Sequence, residues 1–409
     1  MRRHPRPAAD RTAPPRLRPW HFVIAFGLVS LFADMVYEGA RSVIGPYLAT
    51  LGASATVVGI AAGAGEFIGY GLRVVSGYLV RRSRRYWTWT ITGYALTVLS
   101  IPLLGATNTI APALLLYGTE RLGKAVRSPA KDTLLSHAST RTGQGAGFGT
   151  HQAMDQLGAV AGPLLLALVL SLREEDYGLA FGVLAVPGVL VLALLFWLRS
   201  RVPDPAGYET GADGPSYTPG PAGARPQLPV LVWRYVAAVA VLSCGVASFP
   251  LLAYHAETRD LLTPAQVPVL FAVAMFVDGL SGLLVGRLYD RRGPRVLLVV
   301  PFAACAAAIA FTGHPALVWL GVGIWGMVNG VLDSTVKAVV TELVEIDARS
   351  VAFGWLALVR GFGLLAAGAI LGIAYDRSIA LVAALIVLAN LVALLGLWSV
   401  LTRLPGGRE

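Results

Sequence analysis

Long apolar runs alternate with short stretches rich in charge, Pro and Gly, and this alternation continues almost from end to end. Breaking the chain at the polar stretches gives twelve hydrophobic segments: 20–48, 54–80, 86–107, 110–138, 144–171, 177–198, 232–255, 264–289, 295–313, 315–343, 348–374 and 379–402. Runs of this length suit helices that cross a bilayer, which need about 20 residues each. The period-2 alternation of a membrane β-barrel is absent. The expected fold is therefore all-α and integral to a membrane.

Between the sixth and seventh segments lies SRVPDPAGYETGADGPSYTPGPAGARPQLP, polar, rich in Gly and Pro, and without helical periodicity. It divides the chain into two sets of six. The expected layout is a basic tail (1–19), an N-terminal six-helix bundle (20–198), a linker (199–231), a C-terminal six-helix bundle (232–402) and a short tail (403–409). The halves echo each other. YLVRRSRRYW after the second segment matches GRLYDRRGPRV after the eighth, and AGFGTHQAMDQLGAVAGPLL of the fifth matches VAFGWLALVRGFGLLAAGAI of the eleventh. A parallel six-plus-six repeat is a layout of secondary transporters.

Composition agrees. The 409 residues are 56% hydrophobic and 14% charged, against about 25% charged in soluble domains. The net charge of +10 invites a nucleic-acid reading, but its placement argues otherwise. One set of loops carries Arg81, Arg82, Arg84, Arg85, Arg141, Arg199, Arg201, Arg225, Arg291, Arg292, Arg295 and Arg349; the opposite set carries Arg173, Arg259 and Arg377. That asymmetry follows the positive-inside rule and puts both termini and the linker in the cytoplasm, in a multi-pass protein of the cytoplasmic (inner) membrane. The basic start then reads as a retained tail, not a signal peptide. Cys244 and Cys305 lie in apolar segments without metal-ligand spacing and read as small packing residues. No metal or cofactor is expected.

Charges inside the segments are the site candidates, because each costs about 2.5–3.5 kcal/mol at the bilayer centre. In LFADMVYEGARSVIGPYL, Asp34, Glu38 and Arg41 share one helical face. Two carboxylates one turn apart are costly to hold ionised together in a low dielectric, which a proton-coupled carrier can use. Alternatively, Arg41 neutralises Glu38 and all three face water. Glu66 and Arg73 lie two turns apart on the second segment, and Glu66 is placed to pair with a cation of the first or fourth. In ERLGKAVRSPAKD, Glu120, Lys124, Arg127 and Lys131 form a stripe, with Glu120 and Lys124 in favourable pairing order. Such a stripe, with Arg121 beside it, is best tolerated as the wall of a watery cavity. Lys124, Lys131 and Lys337 are the only lysines, and all three lie within the segments. Lysine can lose its proton when buried, whereas arginine cannot. His151 and Asp155 stand at i, i+4, as do Asp333 and Lys337, which are expected to pair. The internal repeat sets Asp155 opposite Arg360, which suggests a salt bridge between the halves.

GRLYDRRGPR (286–295) resembles the loop motif G-x-L-x-D-R-x-G-x-R/K of the major facilitator superfamily. The resemblance covers nearly all of 20–402 and implies two pseudo-symmetric six-helix bundles and transport by alternating access. It implies gating roles for Gly286, Asp290, Arg291 and Gly293, and for Gly77 and Arg81 in the first half, where Arg81 replaces the family's usual Asp. Gly158, Gly162 and Pro163 resemble the fifth-helix G-x-x-x-G-P motif of proton-coupled antiporters, although that spacing also serves close helix packing.

The expected function is proton-coupled efflux of a small amphiphilic or drug-like compound. Proton-coupling candidates are Asp34, Glu38, Glu66, Glu120 and Asp155. Substrate-cavity candidates are Arg41, Arg121, Lys124, Arg127, His151, Lys337 and Arg360. The number of cavity cations raises a second reading, a symporter or exchanger for an anionic metabolite. An enzyme is not expected: G-x-S-x-G, H-E-x-x-H and phosphate-loop motifs are all absent. A sensor or scaffold on the same fold is the non-transport alternative. The partners expected are the lipid bilayer and a small-molecule substrate, with no nucleic acid, in a monomer.

Overall fold

Side chains that are apolar on every face leave a helix no wet side, so these segments can be helical only where lipid or other helices surround them. The computed structural model describes residues 17–208 and 228–404. The expected tails and most of the linker, 1–16, 209–227 and 405–409, lie outside the described residues.

Among the described residues there is no strand, and a helix occupies each of the twelve segments. In chain order they are α1 (Pro19–Thr50), α2 (Ala55–Ser83), α3 (Tyr86–Leu104), α4 (Ile110–Thr142), α5 (Gln144–Leu172), α6 (Tyr177–Val183), α7 (Ala185–Arg201), α8 (Val230–Cys244), α9 (Phe249–Thr258), α10 (Gln266–Arg292), α11 (Val300–Ala307), α12 (Pro315–Leu343), α13 (Ile346–Arg377) and α14 (Ile379–Leu401). Two crossings are broken: α6 and α7 form the sixth, α8 and α9 the seventh. The ninth is α11 flanked by 3-10 turns at Pro294–Val299 and Ala308–Phe311. Ten of the crossings are long and apolar enough to span a bilayer by length and composition alone. The exceptions are α3 and α4. The charged α4 is sheltered instead, packed on α3, α2, α1 and α5. By contrast α14 turns Leu388, Leu395 and Trp398 outward, Leu395 to 72% exposure, as a lipid-facing helix does.

Two apolar cores form. One draws on residues from Phe22 to Tyr208, the other on residues from Val232 to Leu404 together with Ala55 and Ala159. Phe22 and Phe26 stack at 5.5 Å, and Trp87 Nε1 donates to the Val202 carbonyl at 3.0 Å. In the second core Trp325 Nε1 donates to the Ala247 carbonyl at 2.7 Å, across the break between α8 and α9. Asn390, fully buried on α14, donates to the Gly245 carbonyl at the same break. A break exposes backbone acceptors, and these side chains supply the missing donors.

The halves meet along seams. At the end of the molecule opposite the arginine-rich loops, α2 and α13 touch backbone to backbone. A Cβ on Gly59 would fall on the Gly368 carbonyl, and one on Gly368 on the Gly59 carbonyl. Asp376 closes this end. Its carboxylate accepts from the backbone N–H groups of Ala55 (3.1 Å) and Thr56 (3.0 Å) and from the Thr56 hydroxyl (2.6 Å). An acid at the first turn of α2 satisfies free amides and suits the helix dipole. Toward the arginine-rich end the same helices diverge, leaving a crevice of about 580 Å³ between Gly77 and Arg81 of α2 and Gly354 and Leu358 of α13. The two halves therefore form a V, shut at one end.

Candidate functional site

A cavity occupies the V. A compartment of about 770 Å³ is lined by Lys131, Ser334 and Lys337 toward the arginine-rich end. It continues into a narrower one of about 240 Å³ that holds Glu38, Arg41, Glu66 and Arg360. Asp34, Tyr37, Tyr70, Lys124, Asp155, Asp278 and Asp333 line both. All three lysines of the chain thus face one cavity.

Close packing of α1 on α5 places Asp34. A Cβ on Gly158 would stand 2.9 Å from the Asp34 Cβ, and one on Gly162 would stand 2.7 Å from the Met35 Cα. The two glycines therefore let the helices approach directly beside Asp34, and Pro163, inside α5, removes one backbone donor there. Asp34 is 7% exposed and has no cation within ion-pair distance among the described residues.

Other charges compensate one another. Arg41 bridges two carboxylates, Glu38 Oε2 at 3.5 Å and Glu66 Oε1 at 3.2 Å. Glu66 also meets Arg121 Nη1 at 3.4 Å, and Arg121 Nε stands 2.9 Å from Glu120 Oε2 without the alignment of a hydrogen bond. The result is a buried chain, Glu38–Arg41–Glu66–Arg121–Glu120, tying α1, α2 and α4. Glu66 thus has cations from both the first and the fourth segments. Glu120 and Arg121 are each 1% exposed and line neither compartment. They act as a strut behind the cavity wall, and Glu120 pairs with its neighbour Arg121 rather than with Lys124.

Two further expected pairs differ. Asp333 is held by Arg360, Nη1 to Oδ1 at 2.7 Å, and not by Lys337. Arg360 therefore does not meet Asp155, which lies 3.6 Å from His151 Nε2. A crossing arginine with five donors outcompetes a lysine one turn away. His151 Nε2 also lies 3.0 Å from both Ser30 Oγ and Lys131 Nζ. His151 Nδ1 has no hydrogen-bond partner among the described residues, so Nε2 carries all of the ring's polar contacts.

Aromatic rings lie beside several of the cavity cations. Lys124 Nζ is 4.4 Å from the Tyr37 ring centre. Arg127 lies over Tyr94 at 4.5 Å and donates to Thr97 Oγ1 at 2.7 Å. Arg73 and Arg360 lie 5.4 and 5.3 Å from the Tyr70 ring centre. These contacts offset part of the cost of burying a cation without adding an acid. Tyr37, Tyr70 and Gln156 were not candidates from sequence, and Asp278 was legible there only as an intramembrane charge without an assigned role. A single polar residue in an apolar helix carries no periodic signal, although Asp278, an isolated acid in its segment, carries the cost that marks such sites.

The motif residues occupy the loop end. Arg81 is exposed and lines both the α2–α13 crevice and a basic crevice shared with Arg84, Arg85 and Arg199. Gly77 stands near Pro129 of α4, its Cβ position 3.8 Å from that ring. Gly286, Asp290, Arg291 and Gly293 end α10, and Gly293 takes φ +74° to turn the chain out of the helix. Asp290 has no cation partner among the described residues.

The family model described as Major Facilitator Superfamily matches residues 26–368. An uncharacterised protein of Mycobacterium tuberculosis is 44% identical over 393 residues, covering 96% of this chain and 95% of its own. An uncharacterised MFS-type transporter of Methanocaldococcus jannaschii is 22% identical, covering 86% of this chain and 87% of its own. Among solved structures, a peptide transporter POT in complex with sulfate superimposes with a TM-score of 0.73 at 15% identity, covering 97% of this chain and 96% of that one. The chain belongs to the major facilitator superfamily, and it is a multi-pass membrane protein with the fold of that family's transporters.

Proposed function

We propose that this superfamily member is a proton-coupled secondary transporter that moves a small, hydrophilic, charged solute by alternating access. The observation that carries this reading is the cavity itself. It opens toward the arginine-rich end, and among the described residues it mixes ion-paired charges with two carboxylates, Asp34 and Asp278, and two cations, Arg73 and Lys337, that have no ion-pair partner. The paired groups are fixed structure. The free carboxylates are available to take up and release a proton or to meet a cationic group. Asp34, on α1 at the centre of the V, is the proposed proton carrier. The cytoplasmic side is proposed to be the arginine-rich, open end.

Efflux of an amphiphilic or drug-like compound fits less well. Such a cargo calls for broad apolar walls, whereas here apolar residues such as Leu283, Val246, Met275, Trp325 and Leu364 are interspersed with ionic side chains. The motif resemblance behind that reading falls on Gly158 and Gly162, whose contacts account for them as packing residues. The three lysines and Arg73 in the walls favour a solute that carries an anionic group.

The test is proton flux in proteoliposomes challenged with cationic, neutral and anionic solutes, with Asp34→Asn alongside. We expect one charged class to collapse an imposed pH gradient in the native protein, and that flux to fall at least tenfold in the variant. Equal flux in both proteins would remove Asp34 from coupling.

A further inference from the structure

The charges around the cavity are sorted by the seam on which they sit. Where α2 meets α13, the Phe67 and Phe362 rings meet at a tilt with centroids 4.6 Å apart, and the guanidinium groups of Arg73 and Arg360 both lie near the Tyr70 ring. Asp333 neutralises Arg360, and Arg73 has no carboxylate within ion-pair distance among the described residues. Lys337 lies one helical turn beyond Asp333 on the α12 wall and also lacks one among the described residues. At the other seam α5 meets α10: Gln156 donates to the Met275 carbonyl, and a Cβ on Gly279 would press on the Gln156 side chain at 2.9 Å. That seam brings Asp155 and Asp278 to the cavity wall. One seam is thus net positive and the other net negative, and the cavity lies between them.

We propose that the solute is a small dipolar ion, its anionic group held by Arg73 and Lys337 and its cationic group by Asp278 and Asp155. This rests on the transport reading above and names its substrate class. Uncompensated charge in a low-dielectric wall is costly, and a solute that brings the complementary charge to each seam relieves both costs at once. A simple anion would relieve the basic seam and leave the acidic one unmet. A simple cation would do the reverse. All four groups line the wider compartment of about 770 Å³, which sets the upper scale of the solute. Because each seam joins one half of the chain to the other, a solute bound to both would act on the contacts that must change between open and closed states.

The experiment measures uptake into proteoliposomes of alanine, glutamine and dialanine. Each is paired with its N-acetylated form, which keeps only the anion, and its amidated form, which keeps only the cation. The inference expects at least one dipolar parent to be carried at least tenfold faster than both blocked forms. Asp278→Asn should erase the preference over the acetylated form, and Lys337→Gln the preference over the amide. Asp278→Glu and Lys337→Arg should restore them, which separates recognition from failure to fold. A blocked form carried as fast as its parent, or carriage of singly charged compounds alone, overturns the inference and leaves transport standing. Variants that keep the native discrimination overturn the assigned residues. No flux from any compound by correctly inserted protein overturns both readings.

Discussion

Gly59→Val is expected to cut solute flux at least tenfold while leaving the protein folded and inserted. The added side chain has nowhere to go, because the Cβ position of Gly59 lies 2.2 Å from the Gly368 carbonyl oxygen, which is backbone and cannot swing aside. Gly368→Val meets the Gly59 carbonyl in the same way. Overpacking of this kind costs about 1–3 kcal/mol. Borne only by the state in which this end is shut, that cost shifts the balance of states about five- to 150-fold. A carrier must pass through that state once per cycle, so flux falls. Asp376→Asn should move the balance in the same direction and by less, since it weakens the acceptor for Ala55 and Thr56 without inserting bulk. Flux assays on the three variants, with insertion checked by gel filtration, decide it. Native flux from Gly59→Val would mean that the α2–α13 seam does not move.

Arg41→Met is expected to give the largest loss of stability among the cavity residues. Arg41 is shared by Glu38 and Glu66, so its removal leaves Glu38 with no cation and Glu66 with Arg121 alone. Breaking a buried pair from one side costs about 3–5 kcal/mol, because the surviving charge is left in a poor solvent. The unfolding midpoint in detergent should fall by several degrees, and the double variant Arg41→Met with Glu38→Gln should recover most of the loss. Arg41→Lys should recover little, since a single ammonium does not reproduce the two-armed bridge of a guanidinium. An unchanged midpoint in Arg41→Met would show that water, not Arg41, compensates these carboxylates.

The helices were legible because lipid imposes one rule on every crossing, and apolar runs report it directly. The charged faces of α1 and α4 were legible through i, i+4 spacing, and so was a cation partner for Glu66. Pairing itself was not. Spacing says which groups can meet along one helix, but α13 crosses α12 and delivers Arg360 to Asp333 before Lys337 can claim it. Glu120 was drawn to its neighbour Arg121 by burial between helices, which no one-dimensional pattern contains. Asp278 and Tyr70 are single polar residues whose importance comes from the seam that faces them, and a seam exists only after folding. The breaks at Leu184 and at Gly245 also fall inside runs whose hydrophobicity is continuous.

Alternating access requires that one cavity open first to one side of the membrane and then to the other. Gln152 lines both compartments and offers a direct probe. In protein lacking Cys244 and Cys305, Gln152→Cys would be challenged with a membrane-impermeant thiol reagent from each face, with and without an imposed pH gradient. We expect reaction from the arginine-rich face at rest and from both faces under the gradient, with Gly59→Val altering the ratio. Reaction from one face alone under every condition would contradict alternating access.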